Sequence, residues 1–282
     1  MLYFDRDPIW REALIPSLPL EDPMMKQLIG LTVAAALVAL HSPASAQIVN
    51  VQSLNSSNSG EDGFQGEVGG SLTLKTGNVD LLLANTSLLL SYRSGAHKLI
   101  SSSSAQLGIK SGEDFLEKVF THFRHQVIFT DWLTWEAYVQ VATDRFKRLP
   151  LRALAGTGGR LTLVEGPAVA LSVGLSYMFE REMLNETAFI DSGAVHNHHR
   201  LSTYVTGKFI IDPLISFNHT TYFQPRADDP LDFRLSSDTS LGFKLTDSLG
   251  VSIGFLVTYD TRPPEGVRDL DTATNARFSY GF

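Results

Sequence analysis

The sequence predicts an all-β protein: a single antiparallel, up-and-down transmembrane β-barrel of about 12 strands, following a cleaved signal peptide. Three observations predict it. Apolar and polar residues alternate with period two from Phe64 to the last residue, the mark of strands with two unlike faces. Most of the alternating segments hold 11 to 14 residues, longer than an ordinary soluble strand of about five or six and enough to cross a bilayer at a tilt. The connections sort by parity, tight at one end and longer at the other, as the periplasmic turns and outer loops of bacterial barrels do.

Composition sets the outer bounds. The chain has 282 residues and a net charge of −7, which excludes the basic footprint of a nucleic-acid binder. It has no cysteine, so neither a disulfide framework nor a thiolate metal cage is open to it. With 43% hydrophobic and 19% charged residues it is not a disordered chain. No apolar run reaches the roughly 18 residues of a spanning helix.

The amino-terminal part reads as an address. Lys26, the apolar run Leu28 to Leu40 and the closing Ala44-Ser45-Ala46 supply the three parts of a secretory signal, with Ala44 and Ala46 marking the cleavage site. Residues 24–46 are therefore the expected signal peptide. Residues 1–23 carry five acids and four prolines without strand or helix period, and read as a start-site artefact with translation beginning at Met24 or Met25. Residues 47–63, rich in Ser, Asn and Gly, form a flexible leader, and 64–282 the barrel.

The expected strands run over 64–75, 80–93, 98–109, 117–129, 132–143, 152–163, 167–179, 198–211, 214–224, 231–244, 249–260 and 269–282. Two show the pattern best. Val169, Leu171, Val173, Leu175, Tyr177 and Phe179 share one face against Ala170, Ser172, Gly174, Ser176 and Met178. Leu249 to Tyr259 repeat it at the odd positions, against Gly250, Ser252, Gly254 and Thr258. With Phe282 on the periplasmic side, the inner turns fall at 94–97, 130–131, 165–166, 212–213 and 246–248. The outer loops fall at 110–116, 144–151, 180–197, 225–230 and 261–268, and only the short outer turn 76–78 departs from the length rule. The strand glycines Gly69-Gly70, Gly156 and Gly158-Gly159 have no helix behind them, so they read as bends in curved strands and not as phosphate loops.

Several short motifs occur in order along one chain: Phe64-x-Gly66, Thr76-Gly77-Asn78-Val79-Asp80, Tyr92-Arg93-Ser94-Gly95-x-His97, Asp144-Arg145-Phe146 with Leu151-Arg152, and Tyr259-Asp260-x-x-Pro263-Pro264-x-Gly266. Together they resemble the salt-induced outer-membrane protein family, a group of Gram-negative barrels of unknown function, over residues 64–282. The resemblance implies the outer membrane as location and a barrel as fold, and no catalytic residues or cofactor. Phe278, Tyr280 and Phe282 resemble the signal read by the outer-membrane assembly machinery. Outer-membrane lipids and lipopolysaccharide are the other expected partners.

The chemistry-bearing residues divide into four groups. His219 and Thr221 lie two apart on an outward face, as a base and a hydroxyl of a lipid-active hydrolase would, and His125 lies on another; a polar residue near the membrane interface is the plainer reading. His196, His198 and His199 cluster after the longest outer loop without a fourth metal ligand, and acids gather outside at Glu113-Asp114, Glu180, Glu182, Glu186, Asp191, Asp228-Asp229 and Glu265. No metal or cofactor is expected. The largest group points inward by parity, because charge on the lipid face is costly. It comprises Lys75, Arg93, Lys98, Lys110, Lys118, Arg124, Arg152, Arg160, Arg200, Lys208, Arg234, Lys244 and Arg277 against Glu67, Glu136, Asp144, Asp238, Asp260 and Asp271. Such an excess of cations makes a narrow lumen prefer small anions, unless the charges pair across the lumen and plug it. The sequence thus points to a non-enzymatic barrel, a narrow anion-favouring channel or an envelope protein acting under osmotic stress, with a lipid hydrolase as the alternative.

Overall fold

A computed structural model describes residues 62–75, 80–186 and 189–282. The expected start-site artefact over 1–23, the signal peptide over 24–46 with its cleavage site at Ala44 and Ala46, all of the leader but residues 62–63, and the turn 76–78 lie outside the described residues. Twelve strands follow in chain order: β1 (Gly63–Lys75), β2 (Leu81–Ser94), β3 (His97–Lys110), β4 (Glu113–Ile128), β5 (Leu133–Asp144), β6 (Leu149–Glu165), β7 (Val169–Met183), β8 (Val195–Asp212), β9 (Ile215–Pro225), β10 (Phe233–Lys244), β11 (Leu249–Asp260) and β12 (Leu270–Gly281). Each pairs antiparallel with its chain neighbours, and β1 pairs with β12 to close the barrel. Closure gives every described strand a neighbour on each side, the arrangement that lets strands cross hydrocarbon.

Parity decides the two surfaces. On β7, Leu175 and Tyr177 are exposed while Ser172, Ser176, Met178 and Glu180 are buried. Since the wall is one sheet thick, side chains buried in this alternation fill the inside. The exposed face is apolar: Leu72, Leu163, Leu175, Val205, Ile253 and Phe255 stand outward. Aromatic side chains flank that band. Tyr92, Trp132, Trp135, Phe209 and Tyr280 lie outward near the end that carries the chain terminus, and Tyr177, Phe179 and Phe223 near the other. An apolar belt between two aromatic girdles is the surface a barrel presents to a bilayer.

The inner end of the barrel carries the chain terminus and the connections at 95–96, 129–132, 166–168, 213–214 and 245–248; the outer end carries the rest. Two expectations about the outer end are corrected. The loop expected over 110–116 is a two-residue turn, Ser111-Gly112, both at positive φ, with β4 starting at Glu113. Its charged residues obscured the strand period. The long loop expected over 180–197 shrinks because β7 runs to Met183 and β8 begins at Val195, so Glu180 and Glu182 stand on a strand and face inward.

The closing seam is short. β1 meets β12 over Glu67–Gly70 against Gly281–Phe278, and Gly66 and Phe282 extend it by reciprocal backbone bonds of 2.8 and 2.9 Å. A Cβ on Gly66 would lie 2.4 Å from the Phe282 ring, so a glycine there lets the terminal aromatic lie flat on the wall. Phe278, Tyr280 and Phe282 all point outward from this seam.

Candidate functional site

The inside of the barrel is polar, and its charges form layers. At the outer end the centre is the Glu180 carboxylate, which has no solvent exposure. It accepts from Arg152 Nε at 3.0 Å, Arg234 Nη1 at 2.7 Å and Arg200 Nε at 3.3 Å. Arg234 also reaches Glu182 at 3.0 Å and Asp260 at 2.7 Å, and Arg200 reaches Asp232 at 3.1 Å. Lys118 pairs with Asp144 and Lys147 with Asp271 in the same end. Five buried cations (Lys118, Lys147, Arg152, Arg200, Arg234) thus stand among six carboxylates (Asp144, Glu180, Glu182, Asp232, Asp260, Asp271). This end carries no cationic excess. Charge-assisted bonds of this kind hold planar guanidinium groups in fixed places.

The outer connections fasten over the same end. Arg148 donates to Asp191 at 2.7 Å and to the Glu265 carbonyl oxygen at 2.9 Å, and its guanidinium lies 4.5 Å from the Phe189 ring centre. The Glu265 amide donates to Asp191 at 2.9 Å. Slight burial acts to raise the Asp191 pKa, but the Glu265 amide and Arg148 outweigh it and hold the carboxyl below its ordinary value.

A middle layer sits below. Glu136 accepts from Arg124 at 3.0 Å, Gln126 at 2.6 Å and the Tyr204 hydroxyl at 2.9 Å. Arg124 stacks on Tyr138 at 5.1 Å, and Tyr138 bonds Ser176 at 2.9 Å. Two glycines on the neighbouring strands, each paired in register with one of these tyrosines, have a steric role: a Cβ on Gly156 would meet Tyr138 at 2.4 Å, and one on Gly174 would meet Tyr204 at 2.1 Å. Gly156 therefore makes room for a ring that lies over β6 and reaches Ser176 on β7, which is a more specific task than a bend. Between the middle and outer layers lies a cavity of about 30 Å³ bounded by His122, Arg124, Arg152, Tyr204, Tyr222 and Gln224. It has room for one or two water molecules, and the buried Tyr222 hydroxyl and Gln224 Oε1 have no protein partner for such waters to replace.

The inner layer differs. Arg160, Lys208 and Asp238 are half-buried and Arg277 is exposed, along with half-buried Ser216, Asn218, Ser240 and Ser252 on the same inward parity. Lys98 is buried at 6% exposure. The inward residues singled out in the sequence therefore separate by depth. Arg234 belongs to the outer layer, Arg124 and Glu136 to the middle, and Arg160, Lys208, Asp238 and Arg277 to the inner one; the Lys75 side chain lies outside the described part. Sequence reasoning missed Glu180, Glu182 and Asp232 as lumen groups. Glu180 continues the inward parity of Ser172, Ser176 and Met178, and that was the available signal.

The histidines fall apart as a group. His196 and His198 stack at 5.7 Å on one face of β8, whereas His199 stacks on Tyr177 on the other. Among the described residues no three His, Asp or Glu side chains are arranged to hold a metal ion. On the outer surface His219 Nε2 lies 3.0 Å from Thr221 Oγ1 and its Nδ1 2.8 Å from Thr239 Oγ1. Thr221 donates onward to Ser237 at 3.2 Å. His125 instead pairs with His97 at 3.1 Å, edge-on to Trp135.

The model of a family described as protein of unknown function, DUF481, matches residues 67–282. No curated protein matches the chain in sequence. Among solved structures, an outer-membrane channel from Pseudomonas putida F1 superposes with a TM-score of 0.52 at 12% identity, covering 84% of this chain and 100% of that one. NanC porin gives a TM-score of 0.46 at 10% identity over 77% of this chain and 97% of its own. KdgM porin gives 0.42 at 9% identity over 78% and 99%. At such identities the likeness concerns the fold, an outer-membrane type of β-barrel.

Proposed function

Because the chain belongs to the DUF481 family and folds as a barrel with an apolar exterior and a charged interior, we propose that it is a non-enzymatic barrel of the Gram-negative outer membrane. In this reading it works as a narrow, gated channel that favours small anions. The observation that carries the reading is the division of the lumen: an outer end in which the buried described cations stand among an equal or larger number of carboxylates, and an inner end with Lys98, Arg160, Lys208 and Arg277 against Glu67, Glu165 and Asp238 among the described inward strand positions. The paired end controls whether ions pass, and the cationic end controls which sign passes, because a low-dielectric wall amplifies an unbalanced charge. A role under salt or osmotic stress draws support from the motif resemblance. The structural neighbours described as porins and channels are in keeping with the channel reading. Purified protein in a planar bilayer under a KCl gradient tests it: small, intermittent currents with a reversal potential on the anion side are expected, and cation preference or a complete lack of current contradicts it.

A lipid hydrolase remains the second reading, favoured by one observation, the hydrogen-bonded chain Thr239–His219–Thr221 on the membrane-facing surface. It stands second because acyl transfer needs free donors for the developing oxyanion, and the amides around His219 serve the ladders to β8 and β10. Fatty-acid release from phospholipid vesicles that disappears in His219→Ala would promote this reading; no release from the unmodified protein removes it.

A further inference from the structure

The connection between β5 and β6 does not stand out into solvent; it folds into the mouth of the barrel. Residues 145–147 form one turn of 3₁₀ helix, closed by Arg148 in the left-handed region at φ 60°. Asp144 anchors the base of the turn: its carboxylate accepts from the Lys147 amide at 3.1 Å and pairs with the Lys118 ammonium at 3.5 Å. Arg145 is exposed, but Lys147, Arg148 and Leu149 after it are all buried. Surface connections ordinarily leave their charged ends in water, so two consecutive buried cations need a reason.

Both cations reach away from their own strands. The Lys147 ammonium pairs with Asp271 on β12 at 3.0 Å, and in the closed strand order β12 stands six strands from β6 by either route. Asp271 faces inward beside Thr258 of β11, so this ion pair is a chord across the lumen. Arg148 makes a second clasp: its Nη1 donates to Asp191 at 2.7 Å, beyond β7, and to the Glu265 carbonyl oxygen at 2.9 Å, beyond β11. Residues 145–148 thus lie over the outer opening and are fastened on its far side by side chains, not by a strand ladder.

The inward position is incompletely satisfied. Arg148 Nε and Nη2 are buried without a hydrogen-bond partner, although this is an edge that a guanidinium group presents to paired acceptors. Its left-handed backbone is also unfavourable for a residue with a Cβ. Withdrawal from the mouth would return that edge to water and relax the backbone, at the cost of clasps whose groups water also solvates. The ladder at the base is irregular as well, since the β5–β6 register shifts between Ala142 and Asp144. We propose that residues 145–148 are a strap that gates the outer mouth, inward while Lys147 holds Asp271 and Arg148 holds Asp191, and outward when both clasps open. The proposal rests on the channel reading for what the gate admits, while the position of the strap can be measured apart from any current.

The chain has no cysteine, so a thiol at Thr258 reports the opening: this residue is buried, faces inward beside Asp271, and its hydroxyl has no partner to lose. The readout is the rate at which Thr258→Cys reacts with a neutral, water-soluble methanethiosulfonate reagent in the full-length barrel in micelles. Adding Lys147→Gln or Arg148→Gly should speed the reaction about tenfold or more, because labelling of a buried thiol follows the open population. Arg148→Gly removes one clasp and relaxes φ, so it reads the strap even where Lys147→Gln folds poorly. Arg262→Gln, which breaks the exposed outer pair with Asp229 at 2.7 Å, should leave the rate unchanged. Unchanged labelling in both strap variants, or equal acceleration by Arg262→Gln, overturns the strap. Bilayer currents separate the two ideas. The strap variants should raise the mean current several-fold without changing the favoured sign. Faster labelling with no current in any variant removes the channel and keeps the movable strap, whereas a current that is the same with and without the clasps overturns the gate and keeps the channel.

Discussion

The two ends of the lumen are built from the same residue types and arrive at opposite states. At the outer end Arg152, Arg200 and Arg234 converge on Glu180 and share Glu182, Asp232 and Asp260. At the inner end Arg160 donates to the Ser172 hydroxyl, and its buried Nε has no partner among the described residues. Net charge does not separate them in advance, since the whole chain is acidic at −7. Depth separates them. A charge pairs when another strand delivers its opposite at the same height of the barrel, and register alone decides that.

The largest expected effect comes from breaking the paired end at its centre. Glu180→Gln leaves three buried guanidinium groups short of one negative charge, and removing one member of a buried pair costs about 3–5 kcal/mol. Urea unfolding in micelles should show a loss of that order. The same kind of change at the inner end, Lys208→Gln, touches a half-buried group and should cost less than about 1 kcal/mol. Equal losses at the two ends would break the comparison.

A smaller effect is expected from the middle layer. Gly174→Val places a side chain where the Tyr204 ring now lies, 2.1 Å from the added Cβ. Tyr204 must then leave Glu136, and overpacking of this kind costs about 1–3 kcal/mol. Gly193→Ala in the outer connection would bring its Cβ to an ordinary 3.5 Å from the Glu186 side chain, with strain only from its positive φ of 65°, and should cost about 1–2 kcal/mol.

The smallest effect concerns the fastening of the outer connections, and it depends on pH. Asp191 is held below its ordinary pKa by the Glu265 amide and Arg148, against a small opposing effect of burial. A carboxylate depressed in the folded state contributes stability that is complete above its unfolded pKa of about 3.9 and is lost as pH falls through the folded value. Limited proteolysis of the 184–194 connection should therefore be slow at pH 6 and accelerate below about pH 4, and Asp191→Asn should remove most of that difference.

The fold was readable in the sequence because a barrel wall exposes each strand to lipid on one side and to the lumen on the other, so period two survives in nearly every segment. It failed where that pressure fades. Glu180 and Glu182 look like loop residues because two acids stand beside Arg181, and a charged residue at a strand end is equally at home in a lumen or in solvent. The inward direction of Arg124, Glu136 and Arg234 follows from parity; their partners do not. Tyr204 reaches Glu136 across 68 residues of chain, and no local spacing encodes that contact.

The division of the lumen can be tested directly, because the chain has no cysteine and single thiols report their own surroundings. Ser236 and Ser240 both face inward on β10; Ser236 is at 1% exposure among the paired charges and Ser240 is half-buried toward the inner end. The measurement is the rate at which Ser236→Cys and Ser240→Cys react with negatively and positively charged methanethiosulfonate reagents in the folded barrel. The account predicts fast labelling of Ser240→Cys, faster with the anionic reagent, and near-complete protection of Ser236→Cys. Equal rates at the two positions, or faster reaction of Ser240→Cys with the cationic reagent, would contradict it.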